Sequence, residues 1–87
     1  MYKLQFLKEA EKEFKSIDSI WQKRIKNKLE ILRVNPQVLS ANITRLKGKY
    51  KNFYRLKVGN YRIIFTKNKN ELIILIIRIA HRGSVYK

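Results

Sequence analysis

The chain has no cysteine, one proline and three glycines, and only six of its 87 residues are acidic. Without cysteine the fold has neither disulfides nor a thiolate metal site, which fits a reducing compartment. The longest apolar run, Leu72–Ile77, is far too short to span a bilayer, and residues 1–10 contain no apolar signal core. These absences argue against disulfide scaffolds and membrane proteins. We expect one cytoplasmic domain over residues 1–87.

Positive charge is abundant: 21 Lys and Arg oppose 6 Asp and Glu, a formal net charge of +15. Residues 1–42 carry 9 basic and 5 acidic side chains, whereas residues 43–87 carry 12 basic and 1 acidic. Such an excess repels itself, so a polyanionic partner is the simplest reason to keep it. The imbalance indicates an anion-binding surface in the second half, with solvated surface lysines as the plainer alternative.

The first half of the chain predicts a short strand followed by a helical hairpin. Tyr2–Phe6 alternates in polarity as a strand does. Apolar residues then recur at helical spacing along two stripes, Leu7–Ile17 and Trp21–Leu32. Ser19, with a glutamine three residues on, resembles a capping box and predicts the start of the second helix. Pro36 predicts its end, since the residue before a proline avoids helical geometry.

The second half predicts strands. Asn42–Leu46 is a candidate short strand, and Gly59-Asn60 predicts a tight hairpin turn between two strands. Glu71–Ala80 predicts a long strand that is apolar on both faces and therefore internal to the sheet. The expected fold class is α+β, with an N-terminal short strand and helical hairpin packed on one face of a sheet of three or four antiparallel strands.

The predicted hairpin and the chain's end are expected to bring several cations, one imidazole and one phenol together near a single sheet surface, where they could bind phosphate. Alternation along a strand puts Arg55 and Lys57 on one face, which Arg62 joins if the hairpin register permits. The last strand then delivers His81 and Arg82 at its end, and a tyrosine, Tyr86, follows four residues later. Phosphate oxygens relieve the repulsion within such a cluster, and tyrosine stacks on bases.

The available side chains narrow the chemistry of such a site. Metal-dependent nucleases hold hard cations with carboxylates, but Glu71 is the one acidic residue after position 42, so we expect no metal and no cofactor. Cleavage of RNA by its own 2′-hydroxyl needs a base, charge stabilisation and an acid. Histidine titrates near neutrality, which favours His81, whereas Lys57 acts as a base only if neighbouring cations favour its neutral amine.

Each of these residues also has a plainer interpretation. Arg55 and Lys57 fit an exposed strand face that discourages edge-to-edge pairing. A lone histidine such as His81 is commonly a surface or core residue, and Tyr86 fits a side chain that covers the sheet edge. The sequence alone leaves these alternatives open.

Two segments, YRLKVGNYRIIF (54–65) and IIRIAHRGSVYK (76–87), resemble the RelE/ParE toxin superfamily, and the likeness extends over nearly the whole chain. The resemblance is to the RelE branch of type II toxins. It implies an endoribonuclease that cuts mRNA in the decoding site of the ribosome and is neutralised by an antitoxin wrapped around it. We therefore expect a hetero-oligomer with a cognate antitoxin.

The resemblance also implies roles for the individual residues. Arg55 and Lys57 match the family's basic strand pair, and Arg62 matches its phosphate-binding arginine. Arg82 matches the tail arginine that stabilises the transition state or serves the leaving group, and Tyr86 matches the tyrosine that orients the substrate. His81 stands where relatives have Lys or His, so the choice of base between His81 and Lys57 is open.

Some expectations lie outside this catalytic set. Arg45 and Lys47 are further candidates for RNA binding, and the antitoxin is expected to bring an acidic, partly helical segment to a basic groove. The sequence stops one residue after Tyr86, so we expect no additional C-terminal helix.

Two alternatives remain, a ParE-like toxin that inhibits DNA gyrase without cutting and a catalytically silent binding module. Arg82 and Tyr86 favour the nuclease, because the family's non-nuclease branch typically lacks that pair.

Overall fold

A computed structural model describes residues 1–81. Two α-helices and five strands make up the fold, with 3₁₀ turns at Pro36–Asn42 and Gly48–Tyr50. The elements are β1 (Lys3–Phe6), α1 (Lys8–Lys15), α2 (Ser19–Val34), β2 (Ile43–Arg45), β3 (Tyr54–Val58), β4 (Tyr61–Asn68) and β5 (Ile73–His81). No helix in this part of the chain is long and apolar enough to cross a bilayer.

The strands form one mixed sheet in the order β1-β5-β4-β3-β2. The pairings β2–β3, β3–β4 and β4–β5 are antiparallel, whereas β1 runs parallel to β5. The predicted α+β order of strand, helical hairpin and antiparallel strands is confirmed. The parallel pairing of β1 was not predicted, because it joins strands from opposite ends of the chain.

Helix α2 begins where predicted, but the predicted cap is wrong. Asp18, not Ser19, caps the helix: its Oδ1 accepts hydrogen bonds from the backbone N–H groups of Ile20 and Trp21, at 3.1 and 3.2 Å. The Gln22 amide instead donates to the carbonyl of Phe14, at 2.9 Å. That bond ties the two helices together across their connection.

The core lies between α2 and one face of the sheet. Ile25, Leu29 and Leu32 of α2 are buried against strand residues such as Leu56 and Ile63. We call this sheet surface the helix face and the opposite surface the open face. Within residues 1–81, both α-helices contribute their buried residues to the core on the helix face.

Strand β5 contains a β-bulge that reverses its alternation. Ile76 pairs with Phe65 and Arg78 pairs with Ile64, so Ile77 is the extra residue. Before the bulge the even-numbered residues face the core, and after it the odd-numbered ones do, because one inserted residue exchanges the two faces. Ile79 is thereby buried while Arg78 is exposed.

Candidate functional site

The β3–β4 turn fixes the geometry of the site. Val58 pairs with Tyr61, leaving Gly59 and Asn60 as the two-residue turn that the sequence predicted. Gly59 has a φ of +58°, whereas the φ of Asn60 is not positive. A glycine with positive φ at the first central position is typical of a type II′ turn, whose twist suits a hairpin. The turn therefore sets the register of both strands.

That register brings Lys57 and Arg62 together. The two residues are direct cross-strand partners and so share the open face. Arg55, two residues along β3, lies on the same face and pairs with the buried Ile64. The expectation that Arg55, Lys57 and Arg62 share one face of the sheet is therefore confirmed. They form a basic patch, which we call the Lys57–Arg62 patch.

The Arg62 guanidinium folds back onto the hairpin turn. Its Nη1 donates to the carbonyl oxygens of Gly59 and Tyr61, at 3.0 and 3.1 Å. Among residues 1–81, its other nitrogens make no hydrogen bond. Two backbone contacts thus position the group, and most of its donors have no partner within residues 1–81.

Arg78 also reaches the open face, opposite Ile64, but its charge is already compensated. Its Nη2 lies 2.7 Å from a Glu13 carboxylate oxygen on α1. The hydrogen bond and the charge of Glu13 raise the pKa of Arg78 above its ordinary value. By contrast, no ion pair within residues 1–81 involves Arg55, Lys57 or Arg62. The positive charges of these three residues are therefore not paired with an acid within residues 1–81.

The structure does not place His81 on the face of Lys57 and Arg62. His81 pairs with Tyr61, and the two rings meet edge to face with centroids 5.3 Å apart. Tyr61 in turn contacts Trp21 of α2, at 5.6 Å, so this row belongs to the helix face. The expectation that all the candidates share one surface is wrong for His81. The bulge at Ile77 is the cause, since unbroken alternation from Ile76 puts His81 on the open face.

Arg45 and Lys47 lie toward the other end of β3. Arg45 pairs with Tyr54, three residues from Lys57, which separates the two positions by about 10 Å along the strand. The Arg45 Nε donates to the carbonyl of Lys51, at 3.3 Å, and Lys47 is exposed. The structure therefore does not bring them into the Lys57–Arg62 patch. Arg82 and Tyr86 lie outside the described residues.

Two features of the site escaped sequence reasoning. Glu13 supports β5 from α1, and Trp21 packs on the hairpin turn rather than in the core alone. A signal existed for Glu13, because it lies at helical spacing next to the apolar stripe of α1. Within residues 1–81, no three His, Cys, Asp or Glu side chains are grouped as metal ligands would be.

Comparison with known proteins identifies the family. A family model described as the ParE toxin of type II toxin-antitoxin systems, parDE, matches residues 1–86. Toxin RelE3 of Methanocaldococcus jannaschii is 36% identical over 86 residues, which cover 97% of this chain and 94% of that protein. The chain belongs to the RelE/ParE toxin superfamily. It is a type II toxin, and the relative that is 36% identical to it is a RelE protein.

Solved structures of RelE toxins share the fold. In the RelB–RelE antitoxin–toxin complex from Methanococcus jannaschii, the matching chain has a TM-score of 0.74 and 34% identity, covering 95% of each chain. The archaeal RelE–RelB complex from Pyrococcus horikoshii gives a TM-score of 0.80 at 24% identity, covering 97% of this chain and 98% of that one. Both are toxin–antitoxin complexes. The RelE-like fold is therefore shown for this toxin.

Proposed function

We propose that this toxin is a metal-independent, ribosome-dependent endoribonuclease that cuts mRNA and so inhibits translation. The observation that carries the proposal is the direct pairing of Lys57 with Arg62 on the open face, with Arg55 beside them and no compensating acid among residues 1–81. The sequence relation to RelE proteins supports the same activity.

The proposed reaction uses the RNA's own nucleophile. The 2′-oxygen loses its proton to a base and attacks phosphorus, while the bond from phosphorus to the 5′-oxygen breaks and that oxygen takes up a proton. The products are a 2′,3′-cyclic phosphate and a 5′-hydroxyl. Negative charge grows on the phosphate oxygens in the transition state, where preorganised cations stabilise it most effectively. Arg55 and Arg62 supply that charge in the proposal.

The position of Lys57 supports it, rather than His81, as the group next to the 2′-hydroxyl. Lys57 is exposed and directly opposite Arg62, whereas His81 pairs with Tyr61 on the other face. Arg82 and Tyr86 keep the roles that the family resemblance implies, in the transition state or leaving group and in substrate orientation. No carboxylate accompanies the patch among residues 1–81, which favours cations of the protein over a bound metal.

We also propose a cognate antitoxin as the toxin's partner and the cytoplasm, where ribosomes work, as its location. The M. jannaschii and P. horikoshii relatives are both seen with RelB antitoxins. For a chain of net charge +15, an acidic antitoxin segment is the complementary partner.

The decisive experiment adds purified toxin to a reconstituted translation reaction and maps the mRNA ends by primer extension. We expect cuts only in translated mRNA, with 2′,3′-cyclic phosphate ends. Lys57→Gln and Arg62→Gln should each reduce the cleavage rate by about 100-fold or more, as removal of an oriented catalytic group does. Lys69→Gln, an exposed lysine in the β4–β5 turn, is the charge-matched control and should cleave normally.

Three further arms separate the alternatives. His81→Gln should retain more activity than Lys57→Gln, and the opposite order would assign the base to His81.

Arg82→Ala and Tyr86→Ala should each abolish growth arrest while the purified variants keep the parent's circular dichroism spectrum. A supercoiling assay tests the gyrase alternative: inhibition of DNA gyrase by a toxin that leaves translated mRNA intact would replace this proposal with the ParE-like one.

A further inference from the structure

A second basic surface lies on the helix side of the hairpin, between α2 and the end of β3. It is a groove of about 280 Å³. Arg24 and Lys28 line it from α2, and Lys57 lines it from β3. Two amide side chains, Asn27 and Asn42, add neutral donors and acceptors. None of the described lining residues is acidic. We call this the α2–hairpin groove.

The spacing along α2 aligns the groove's charges. Arg24 and Lys28 are four residues apart, so they are neighbours on one side of the helix. Like charges at this spacing destabilise a helix, and no ion pair within residues 1–81 compensates either one. The α2 acid Glu30 is paired instead with Arg33, at 2.7 Å. An anion bound between Arg24 and Lys28 would therefore relieve a weak repulsion between them.

Lys57 connects this groove to the Lys57–Arg62 patch. Strand β2 pairs with β3 only as far as Leu56, so β3 continues past its neighbour at Lys57. Lys57 shares the open face with Arg62 and also lines the groove. Lys57 thus borders both basic surfaces. A chain-like anion bound at the patch has a charged path into the groove.

Trp21 forms one wall of the groove. The indole packs so closely on the turn that a Cβ on Gly59 would lie 2.2 Å from it. The Arg24 guanidinium carbon lies 4.8 Å from the centroid of the same ring, within cation–π range. An arginine held in this way keeps its orientation and retains donors for a phosphate. The remaining apolar lining residues, Leu39 and Val58, are buried and offer little surface to an apolar helix.

We propose that the α2–hairpin groove binds the sugar–phosphate backbone of the RNA strand that occupies the Lys57–Arg62 patch. This inference rests on the proposed function and extends it to a second contact, outside the reacting atoms. Two arginine or lysine contacts to phosphates position a strand without reading its bases. The groove therefore contributes affinity and register, independently of base sequence. Its continuity with the patch favours RNA over an acidic peptide.

The test measures binding of a 2′-O-methyl RNA oligonucleotide, which cannot be cleaved, by fluorescence anisotropy over a range of salt concentrations. The groove variant is Arg24→Gln/Lys28→Gln. Its control, Lys23→Gln/Lys26→Gln, removes the same charge from exposed positions of the same helix outside the groove. We expect about a tenfold loss of affinity for the groove variant at about 0.1 M salt, and a control within about twofold. The slope of log affinity against log salt should fall by about 1.4, for two lost contacts to a single strand.

A second readout localises the contact. Trp21 is the chain's one tryptophan, so RNA in the groove should change its fluorescence in the parent and control more than in the groove variant. Equal losses in the groove and control variants would reduce the effect to net charge and overturn the inference. Loss of binding to poly-glutamate with normal RNA binding would make the groove a protein-docking site, which also overturns it. A parent that binds RNA through the groove but never cuts mRNA refutes the proposed nuclease activity separately.

Discussion

At the scale of single residues, the hairpin turn depends on the match between Gly59 and Trp21. A turn with positive φ favours glycine, and here the side of the turn is also occupied by an indole. The same turn supplies the carbonyl of Gly59, to which Arg62 donates, and it sets the pairing of Lys57 with Arg62. One residue without a side chain therefore determines both local stability and the arrangement of the basic patch.

Gly59→Ala should destabilise the toxin by about 2–4 kcal/mol, from about 1 kcal/mol of left-handed backbone strain and about 1–3 kcal/mol of overpacking. The added Cβ would meet the indole at 2.2 Å, so Trp21 must move. Urea denaturation followed by circular dichroism measures the loss.

Gly48→Ala is the matched control for that substitution. Gly48 also has a positive φ, +67°, but nothing lies within 4 Å of its Cβ position. This variant should lose only the backbone contribution, about 1 kcal/mol. If both variants lose the same stability, the contact with Trp21 has no energetic role.

At the scale of elements, β5 changes partners halfway along its length. Strand β1 pairs with it from Ile73 to Ile76, and the last bond of that pairing runs from the Leu7 N–H to the Ile76 carbonyl. Beyond that point Glu13 of α1 takes over, accepting from the Ile79 N–H at 2.7 Å and from the Arg78 Nε at 2.9 Å. A side chain thus completes a strand edge that β1 leaves open.

Glu13→Ala should lower the free energy of unfolding by about 1–3 kcal/mol, because it leaves a partly buried strand N–H and Arg78 without their acceptor. Glu11→Ala is the control, since its pair with Lys15 is long, at 3.8 Å, and exposed. It should change stability by no more than about 0.5 kcal/mol. Denaturation with urea compares the two, and equal losses would show that Glu13 acts only as a surface charge.

The elements also show what the sequence can and cannot predict. Helical spacing and Pro36 located α2, and Gly59-Asn60 located the hairpin, because each signal is local. The bulge at Ile77 had no such signal, since Leu72–Ile77 is apolar on both faces and alternation cannot be followed through it. The position of His81 was therefore predicted on the wrong face. The start of β5 was also misjudged by two residues, because Leu72 takes a φ of +57° in the preceding turn.

At the scale of the whole molecule, the net charge of +15 opposes folding. The described part of the toxin measures 33 × 28 × 26 Å. At 10 mM salt the Debye length is about 30 Å, so repulsion between cations extends across nearly the whole molecule. At 0.1 M salt it falls to about 10 Å, which confines the repulsion to near neighbours. Only three ion pairs offset this repulsion within residues 1–81. The charge that the proposed RNA binding would use therefore makes the toxin's stability dependent on salt.

Raising NaCl from 10 to 300 mM should raise the melting temperature of the isolated toxin. If screening raises the free energy of unfolding by about 1 kcal/mol, the expected rise in melting temperature is about 4–8 °C for a chain of this size. Lys12→Glu/Lys23→Glu, at two exposed helix positions, lowers the formal charge from +15 to +11. Since Coulomb self-repulsion grows with the square of the charge, this variant should show roughly half the rise. If the melting temperature does not change with salt, or if it rises equally with salt in the two proteins, local contacts rather than net charge set the stability.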